Sequence, residues 1–252
     1  MTKIRPAVCC VVLCLVPCTA ILAQANTKNS GSVPICSDKP VLNAPYSAKR
    51  IFIGVKKHRD GTVSRTRTIG SQVRDSQGRT YSAGERLWDY YVGKKKMVGH
   101  EMLYRIDDPV ADTETRWDTS TKVAREIHWP KGAQSQSVAA EKWIAICMAF
   151  MTANTYGDNV QNVGKKTMDD VVVEGTRSSY TVPAGEDHNK RPLVVVHETW
   201  YSPVLEIVVL ETNDDPRTGT TKDELTDIVR GKPDITEYRL PAGYSIRQIR
   251  MP

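Results

Sequence analysis

Five histidines are the first residues to consider for metal chemistry, because a neutral imidazole binds zinc and related ions. They are spread from His58 to His197, with no His-x-x-x-His pattern and no Cys-x-x-Cys pair in the chain. His100-Glu101 and His197-Glu198 are adjacent pairs, but neighbouring residues of a strand point to opposite faces and cannot share an ion. The histidines therefore predict no metal site.

Acidic clusters are the next candidates, because carboxylate oxygens bind calcium. Asp107-Asp108 and Asn213-Asp214-Asp215 lack the alternating Asp-x-Asp-x-Asp-Gly pattern of a calcium loop. Asp and Asn side chains hydrogen-bond turn backbones directly, so we interpret both clusters as turn residues. A glycosidase needs two opposed carboxylates, and 29 acidic residues offer too many pairs for any one to be informative.

Nucleophilic and nucleotide chemistry also lack a signature in the sequence. There is no Gly-x-Ser-x-Gly elbow, no phosphate loop and no dinucleotide fingerprint. Cys147 lies in an apolar stretch with no adjacent cation that would lower the pKa of its thiol. We therefore predict that the protein is not an enzyme and uses no cofactor.

The first 25 residues have the pattern of a secretory signal peptide. Lys3 and Arg5 precede an apolar stretch over 7–22, and Ala23-Gln24-Ala25 supplies a small-x-small cleavage site. Cleavage near Ala25 predicts a periplasmic or extracellular protein.

Two alternatives to simple cleavage remain open. An uncleaved anchor is disfavoured because Pro17 interrupts the apolar stretch, which is short for a permanent span of about 20 residues. Lipidation of Cys18 is the other alternative, since Leu15 and Cys18 match a lipoprotein cleavage box but Pro17 stands where a small residue is required.

Removal of the signal peptide also decides which cysteines the exported protein keeps. Four of the six cysteines lie within residues 1–25, and only Cys36 and Cys147 remain after cleavage. In an oxidising compartment these two have one intramolecular pairing, a Cys36–Cys147 disulfide. A buried free thiol at Cys147 is the alternative.

Charge is uneven along the chain, although its net value is only +6. Residues 26–130 carry 19 Lys/Arg and 12 Asp/Glu, whereas residues 131–252 carry 14 and 17. We interpret the basic half as Lys and Arg on solvated strand edges; the alternative is contact with an anionic envelope surface, for which Lys94, Lys95 and Lys96 are the candidates. This bias is too weak to predict nucleic-acid binding.

The rest of the chain reads as strands after a polar, proline-containing segment over 26–50, which we predict to be flexible. A single β-rich domain is expected over 51–252. The firmest hairpin pairs 63–74 with 79–87 around the turn Asp75-Ser76-Gln77-Gly78. Further predicted strands are 97–106, 115–118, 122–129, 170–181, 193–200, 205–210 and 224–230.

The segment 122–129 alternates in a way that indicates two faces. Val123, Ile127 and Trp129 share one face, while Ala124, Glu126 and His128 share the other. Arg125 interrupts the apolar face.

One stretch differs in kind. Residues 137–153 lack Gly and Pro, begin at a serine suited to an N-cap, and predict a helix that is apolar nearly all round. Its Trp143, Met148 and Met151 are candidates to line a ligand pocket, with ordinary core packing as the alternative. Trp200 and Tyr201 are candidates for the rim of a pocket or for sealing the end of a β core. The predicted fold is mainly β (α+β), a curved antiparallel sheet or half-barrel with one or two helices packed on it.

Several motifs resemble a group of secreted bacterial proteins of unknown function. They are Arg74-Asp75-Ser76-Gln77-Gly78-Arg79, Ile106-Asp107-Asp108-Pro109, Val182-Pro183-Ala184-Gly185, Glu198-Thr199-Trp200-Tyr201-Ser202-Pro203, Asp215-Pro216-Arg217-Thr218-Gly219, Gly231-Lys232-Pro233-Asp234 and Leu240-Pro241-Ala242-Gly243-Tyr244. The group is distantly similar to the LolA-like periplasmic lipoprotein-carrier superfamily. That resemblance implies a curved antiparallel sheet around an apolar cavity closed by helices, and it transfers no binding residues.

These observations together predict a non-enzymatic envelope protein that binds a lipid, an acyl chain or a lipoprotein. The alternative is a structural or protein-interaction module at the cell surface. The sequence does not indicate an oligomeric state.

Overall fold

Strands dominate the described chain, because its runs of Val, Ile, Thr and aromatic residues pack well on a pleated surface. The structure is a computed structural model that describes residues 40–58, 60–92, 95–131 and 159–251. The strands are β1 (Tyr46–Lys57), β2 (Val63–Arg74), β3 (Thr80–Val92), β4 (Lys95–Asp108), β5 (Thr113–Asp118), β6 (Val123–His128), β7 (Asn159–Met168), β8 (Val171–Val182), β9 (Leu193–Ser202), β10 (Ile207–Asp215), β11 (Gly219–Arg230) and β12 (Ser245–Arg250). Within the described ranges, helix is limited to one 3-10 turn at Thr236–Tyr238.

All these strands belong to one sheet, in the order β12-β6-β5-β4-β3-β2-β1-β11-β10-β9-β8-β7. Neighbouring strands run antiparallel, apart from β12, which pairs with β6 in parallel. The prediction of a mainly β, largely antiparallel fold is confirmed. The predicted helix over 137–153 lies outside the described residues.

The hairpin of β2 and β3 forms where the sequence places it. Asp75 organises its turn, since Asp75 Oδ1 accepts hydrogen bonds from the amides of Gln77 (2.9 Å) and Arg79 (3.0 Å). Gly78 has a φ of 80°, a conformation that glycine adopts without strain. Local turn chemistry therefore fixes this register.

Two strands at the ends of the sheet order were not predicted. β7 carries Asn, Gln or Lys at half of its ten positions, and β12 lies in the C-terminal tail. Neither has the alternation of apolar and polar residues that marks a half-buried strand. Tertiary pairing, rather than local propensity, makes these segments extended.

At the N-terminus the sheet begins earlier than the predicted domain boundary at 51. β1 starts at Tyr46, which is 1% exposed, so the last part of the segment predicted to be flexible belongs to the sheet. Residues 1–25, which carry the predicted signal peptide, lie outside the described residues. In the parts of the chain that the structure describes, no helix has the length and apolarity needed to cross a membrane.

Curvature of the sheet is shown by a contact between distant strands. Arg74 on β2 donates a hydrogen bond to the backbone oxygen of Leu205, in the turn between β9 and β10. In the sheet order β10 lies three strands from β2, which is about 14 Å in a flat sheet. The sheet must therefore bend toward the face that carries Arg74, with Tyr46, Leu205 and Leu225 packed in its core.

The opposite face of β2 and β3 is covered by the segment that follows β11. Tyr238 packs against Val73 and Tyr81, and its hydroxyl donates to Ser71 Oγ at 2.7 Å. This segment carries the chain across the sheet from β11 to β6. β12 is then laid beside β6, where the Ser245 amide donates to the Lys122 oxygen at 2.9 Å.

Candidate ligand-binding groove

A groove of about 880 Å³ lies over strands β1 to β6 and β12. Side chains alternate between the two faces of a strand, and the register places Arg50, Gly70 and Gly84 on one face. We call this the groove face. It is the same face that carries Arg74.

Four arginines of the groove lining stand side by side across four neighbouring strands. Arg105 on β4 is opposite Arg116 on β5, and Arg116 is opposite Arg125 on β6. Arg125 is in turn level with Arg247 on β12. We call these four residues the arginine row. Directly opposed residues have Cβ atoms about 5 Å apart, and like charges at that distance destabilise a sheet.

Buried carboxylates neutralise the inner half of the arginine row. Arg105 Nη2 lies 2.8 Å from Asp107 Oδ1 and 3.5 Å from Glu114 Oε2. Arg116 Nε contacts Glu114 Oε1. Both acids are buried, and a buried carboxylate is tolerated only when it is paired with a cation.

The outer half of the arginine row, Arg125 and Arg247, lacks such acidic partners among the described residues. The side chains of Arg125 and Arg247 are exposed, and no acidic group among the described residues pairs with either of them. Two arginines without an acidic partner therefore lie level on neighbouring strands at this end of the groove. This is the part of the row where cross-strand repulsion is not offset.

At the other end of the groove the arginines are paired again. Arg86 contacts the buried Glu101, and Arg50 Nε donates to Asp223 Oδ1 at 2.9 Å. The positive charge that is free to meet a ligand is therefore concentrated at β6 and β12.

Glycines make the floor of the groove. Gly70 and Gly84 are directly paired on β2 and β3. A Cβ at Gly70 would lie 2.3 Å from the Ala83 oxygen, whereas a Cβ at Gly84 would meet nothing within 4 Å. Glycine weakens a strand interior and often marks a place where a ligand or backbone approaches closely.

Apolar and acidic side chains complete the lining. Phe52, Leu103 and Val123 line the groove, and the last two are 37% and 41% exposed. Asp118 also lines it. Burial alone would raise the pKa of Asp118, but hydrogen bonds from Ser120 and Thr121 outweigh it and lower that pKa. The groove is thus amphiphilic, with apolar side chains between charged ones.

Two histidines have polar neighbours of the kind that a catalytic site uses. His58 Nε2 lies 2.9 Å from Ser64 Oγ, but the pair is exposed beside the β1–β2 turn, and no described carboxylate hydrogen-bonds to that ring. His197 Nε2 lies 2.9 Å from Glu211 Oε1, and Ser178 is its cross-strand neighbour on β8, but His197 Nδ1 has no hydrogen-bond partner in the described chain. Across the described ranges, no three His, Cys, Asp or Glu side chains are arranged to hold a metal ion.

Two of the predicted site residues lie in the part of the chain that the structure describes. Trp143, Met148 and Met151, together with Cys36 and Cys147, lie outside the described residues. The structure does place Trp200 and Tyr201 on β9, four strands away from β2, and neither lines the groove. The structure does not bring these two aromatics to the arginine row.

Trp200 has a packing role in the second half of the sheet. It is 7% exposed and covers Gly175 on the neighbouring strand β8. Lys166 Nζ lies 3.6 Å from the centroid of its ring, and its indole nitrogen donates to Glu198 Oε1 at 2.6 Å. Burial raises the pKa of Tyr201 to about 12, with Glu206 acting in the same direction.

The groove was missed because its arginines are far apart in the sequence. One local signal was present, since Arg125 interrupts the apolar face that Val123 and Ile127 suggest for β6. The structure shows that Ala124, on the other face, is fully buried, while Val123 and Arg125 face the groove. The predicted apolar face of β6 is therefore the face that lies toward the groove.

Comparison with known proteins gives no family. No protein-family model matches the chain, and no curated protein matches it. Among solved structures, a chain of the Pseudomonas aeruginosa MucA/MucB complex aligns with a TM-score of 0.38 and 9% identity, covering 79% of this chain and 56% of that one. This chain thus spans about half of that protein.

Two mycobacterial proteins align over more of their own length. LprF from Mycobacterium bovis has a TM-score of 0.34 and 10% identity, covering 80% of this chain and 90% of that one. The lipoprotein LppX from Mycobacterium tuberculosis has a TM-score of 0.26 and 12% identity, covering 77% and 88%. Scores below 0.5 carry no argument, so the resemblance to lipoprotein carriers stays a prediction and the fold rests on the strands and registers given above.

Proposed function

We propose that the protein is a non-enzymatic binding protein of the cell envelope that holds its ligand in the groove. The observation that carries this proposal is the glycine floor. Gly70 and Gly84 leave the centre of a sheet without side chains, directly beneath a groove of about 880 Å³. A volume of that size is typical of small-molecule sites.

The lining favours an amphiphile, in keeping with the lipid, acyl-chain or lipoprotein ligand that the sequence predicts. Phe52, Leu103 and Val123 offer apolar contact, and the arginine row offers charge. An acyl chain alone would cover guanidinium groups without supplying hydrogen-bond acceptors, which is costly. A ligand with both an apolar part and a polar head satisfies both kinds of side chain.

Binding rather than catalysis is supported by the site's chemistry. The buried acids beneath the groove, Glu101, Asp107 and Glu114, are each held by an arginine, so they serve to fix guanidinium groups in place. Asp118, in the lining itself, is held by hydrogen bonds from Ser120 and Thr121. A general base must instead be within reach of a substrate proton. Export, predicted from residues 1–25, places such a binding protein in the envelope.

Native mass spectrometry on gently purified protein tests the proposal. Gly84→Trp should fill the groove without strain, because the space above Gly84 is open and its φ is not positive. We expect wild type to carry a ligand mass and Gly84→Trp to lose it. Val194→Trp is the control, since Val194 is 51% exposed on β9 and does not line the groove.

Circular dichroism should first show that both variants retain the sheet. A wild-type protein that carries no ligand and takes up no added amphiphile would overturn the proposal. Retention of the same ligand by Gly84→Trp would also overturn it, and would favour a contact surface elsewhere on the molecule.

A further inference from the structure

We propose that Arg125 and Arg247 form a clamp for a phosphoryl group of the ligand, an inference that rests on the proposed function of the groove. The two residues lie level on the parallel strands β6 and β12 and face the same side. Both line the groove, so a group bound between them is continuous with its interior.

The distribution of acidic partners along the arginine row indicates that an anionic ligand binds at the end formed by β6 and β12. Asp107 and Glu114 form ion pairs with the inner arginines, Arg105 and Arg116. No described acid pairs with Arg125 or Arg247, so the clamp carries two uncompensated positive charges on neighbouring strands. A sheet that keeps like charges directly opposed loses stability unless an anion lies between them.

The geometry favours a phosphoryl group over a carboxylate. A guanidinium fork donates two parallel hydrogen bonds, and one fork is enough to occupy both oxygens of a carboxylate. A phosphate monoester presents three acceptor oxygens and a charge between about −1.5 and −2 near neutral pH. Two adjacent forks therefore match one phosphoryl group in both hydrogen bonds and charge.

The surroundings of the clamp indicate where the remainder of the ligand lies. Val123 precedes Arg125 by two residues on β6 and so shares its face. Leu103 lines the same groove on β4. A phosphoryl head held by the clamp thus places an attached apolar chain over these side chains and toward the glycine floor.

Isothermal titration calorimetry with inorganic phosphate in a low-salt buffer tests the clamp. Arg125→Gln and Arg247→Gln should each weaken phosphate binding by about tenfold, the effect expected from losing hydrogen bonds to a charged group. Arg250→Gln is the matched control, because it removes the same charge from the other face of β12. Equal affinity in wild type and both clamp variants would overturn the inference.

The source of the phosphoryl group is distinguished in a second experiment. Sedimentation with phosphatidic acid vesicles, using phosphatidylcholine vesicles as a reference, is compared with titration of glycerol 3-phosphate. Clamp-dependent vesicle binding identifies a lipid headgroup, and clamp-dependent binding of glycerol 3-phosphate alone identifies a soluble ester. Wild-type protein that binds none of these probes overturns the clamp.

Failure of the clamp and failure of the proposed function give different results. If Arg125→Gln and Arg247→Gln still carry the wild-type ligand mass while Gly84→Trp loses it, the groove binds its ligand without the clamp. If Gly84→Trp retains the ligand, the groove itself is not the site.

Discussion

At the scale of single residues, Gly175 and Gly84 are strand glycines with opposite surroundings. A Cβ at Gly175 would lie 2.5 Å from Val163 Cγ2 and 2.8 Å from the Trp200 ring. The same atom at Gly84 would point into open space. Gly175 is therefore required by core packing, whereas the absence of a side chain at Gly84 is required only by the groove.

Gly175→Ala should lower the free energy of unfolding by about 1–3 kcal/mol, because the added methyl overpacks the contact with Trp200. Gly84→Ala should instead be neutral or stabilise the protein by up to about 1 kcal/mol, since the unfolded chain loses freedom. Urea denaturation measures both. Equal destabilisation by the two variants would contradict this description of the two sites.

Asp215 provides a residue-scale prediction of pH dependence. Hydrogen bonds from the Arg217 side chain, at 2.9 and 2.7 Å, are the largest cause that lowers the pKa of Asp215, and partial burial opposes them. Because the folded-state pKa lies below the unfolded value of about 3.9, the stabilisation is present above that value. It is lost as pH falls through the folded-state pKa.

Asp215→Asn should therefore be less stable than wild type near pH 7 and lose less stability between pH 7 and the acid limit. Thermal unfolding at a series of pH values measures the difference. Asp214→Asn is the control because that side chain is exposed. If the stability of Asp215→Asn falls as steeply with decreasing pH as that of wild type, the Asp215–Arg217 ion pair does not contribute to stability.

At the scale of elements, local sequence predicts the strands that have strong turns and alternating faces. β2 and β3 are joined by a turn that Asp75 organises, so their pairing is readable from adjacent residues. β12 has no such signal, because its position depends on a crossover that Tyr238 anchors on β2 and β3, three strands from β6. Parallel pairing with β6 cannot be read from either strand alone.

β12 should be held more firmly when the clamp is occupied. Repulsion between Arg125 and Arg247 acts across the β6–β12 pairing, and a bound anion removes it. Hydrogen exchange should show that phosphate slows exchange of the amides in Ser245–Arg250. In Arg247→Gln the same amides should already be slower without phosphate and should not respond to it. Unchanged exchange in wild type on adding phosphate would contradict the coupling.

At the scale of the whole molecule, the main feature is the curvature of the sheet. The sequence predicts a curved sheet, but the contact that holds the curve joins residues 131 positions apart. Arg74 donates to the oxygens of Ala44, at 2.8 Å, and Leu205, and its guanidinium lies 5.0 Å from the centroid of the Tyr46 ring. Likewise, the arginine row exists only once four strands are in register, so no single segment of sequence could reveal it.

Arg74→Met should therefore lower the free energy of unfolding by about 2–4 kcal/mol, since it keeps the volume but leaves two backbone oxygens without their charged donor. It should also weaken ligand retention, because the groove depends on the curve. Arg65→Met is the control, since Arg65 is exposed on the same strand. Full stability in Arg74→Met, measured by urea denaturation, would mean that the curve is held by other contacts.

A crystal structure of the protein with a short-chain phosphatidic acid tests the central claim most directly. The prediction is one phosphoryl group within about 3 Å of the guanidinium nitrogens of Arg125 and Arg247, with its acyl chains over Val123 and Gly84. A lipid bound on the opposite face of the sheet, or a groove that excludes it altogether, would contradict the claim that this face is where the protein holds its ligand.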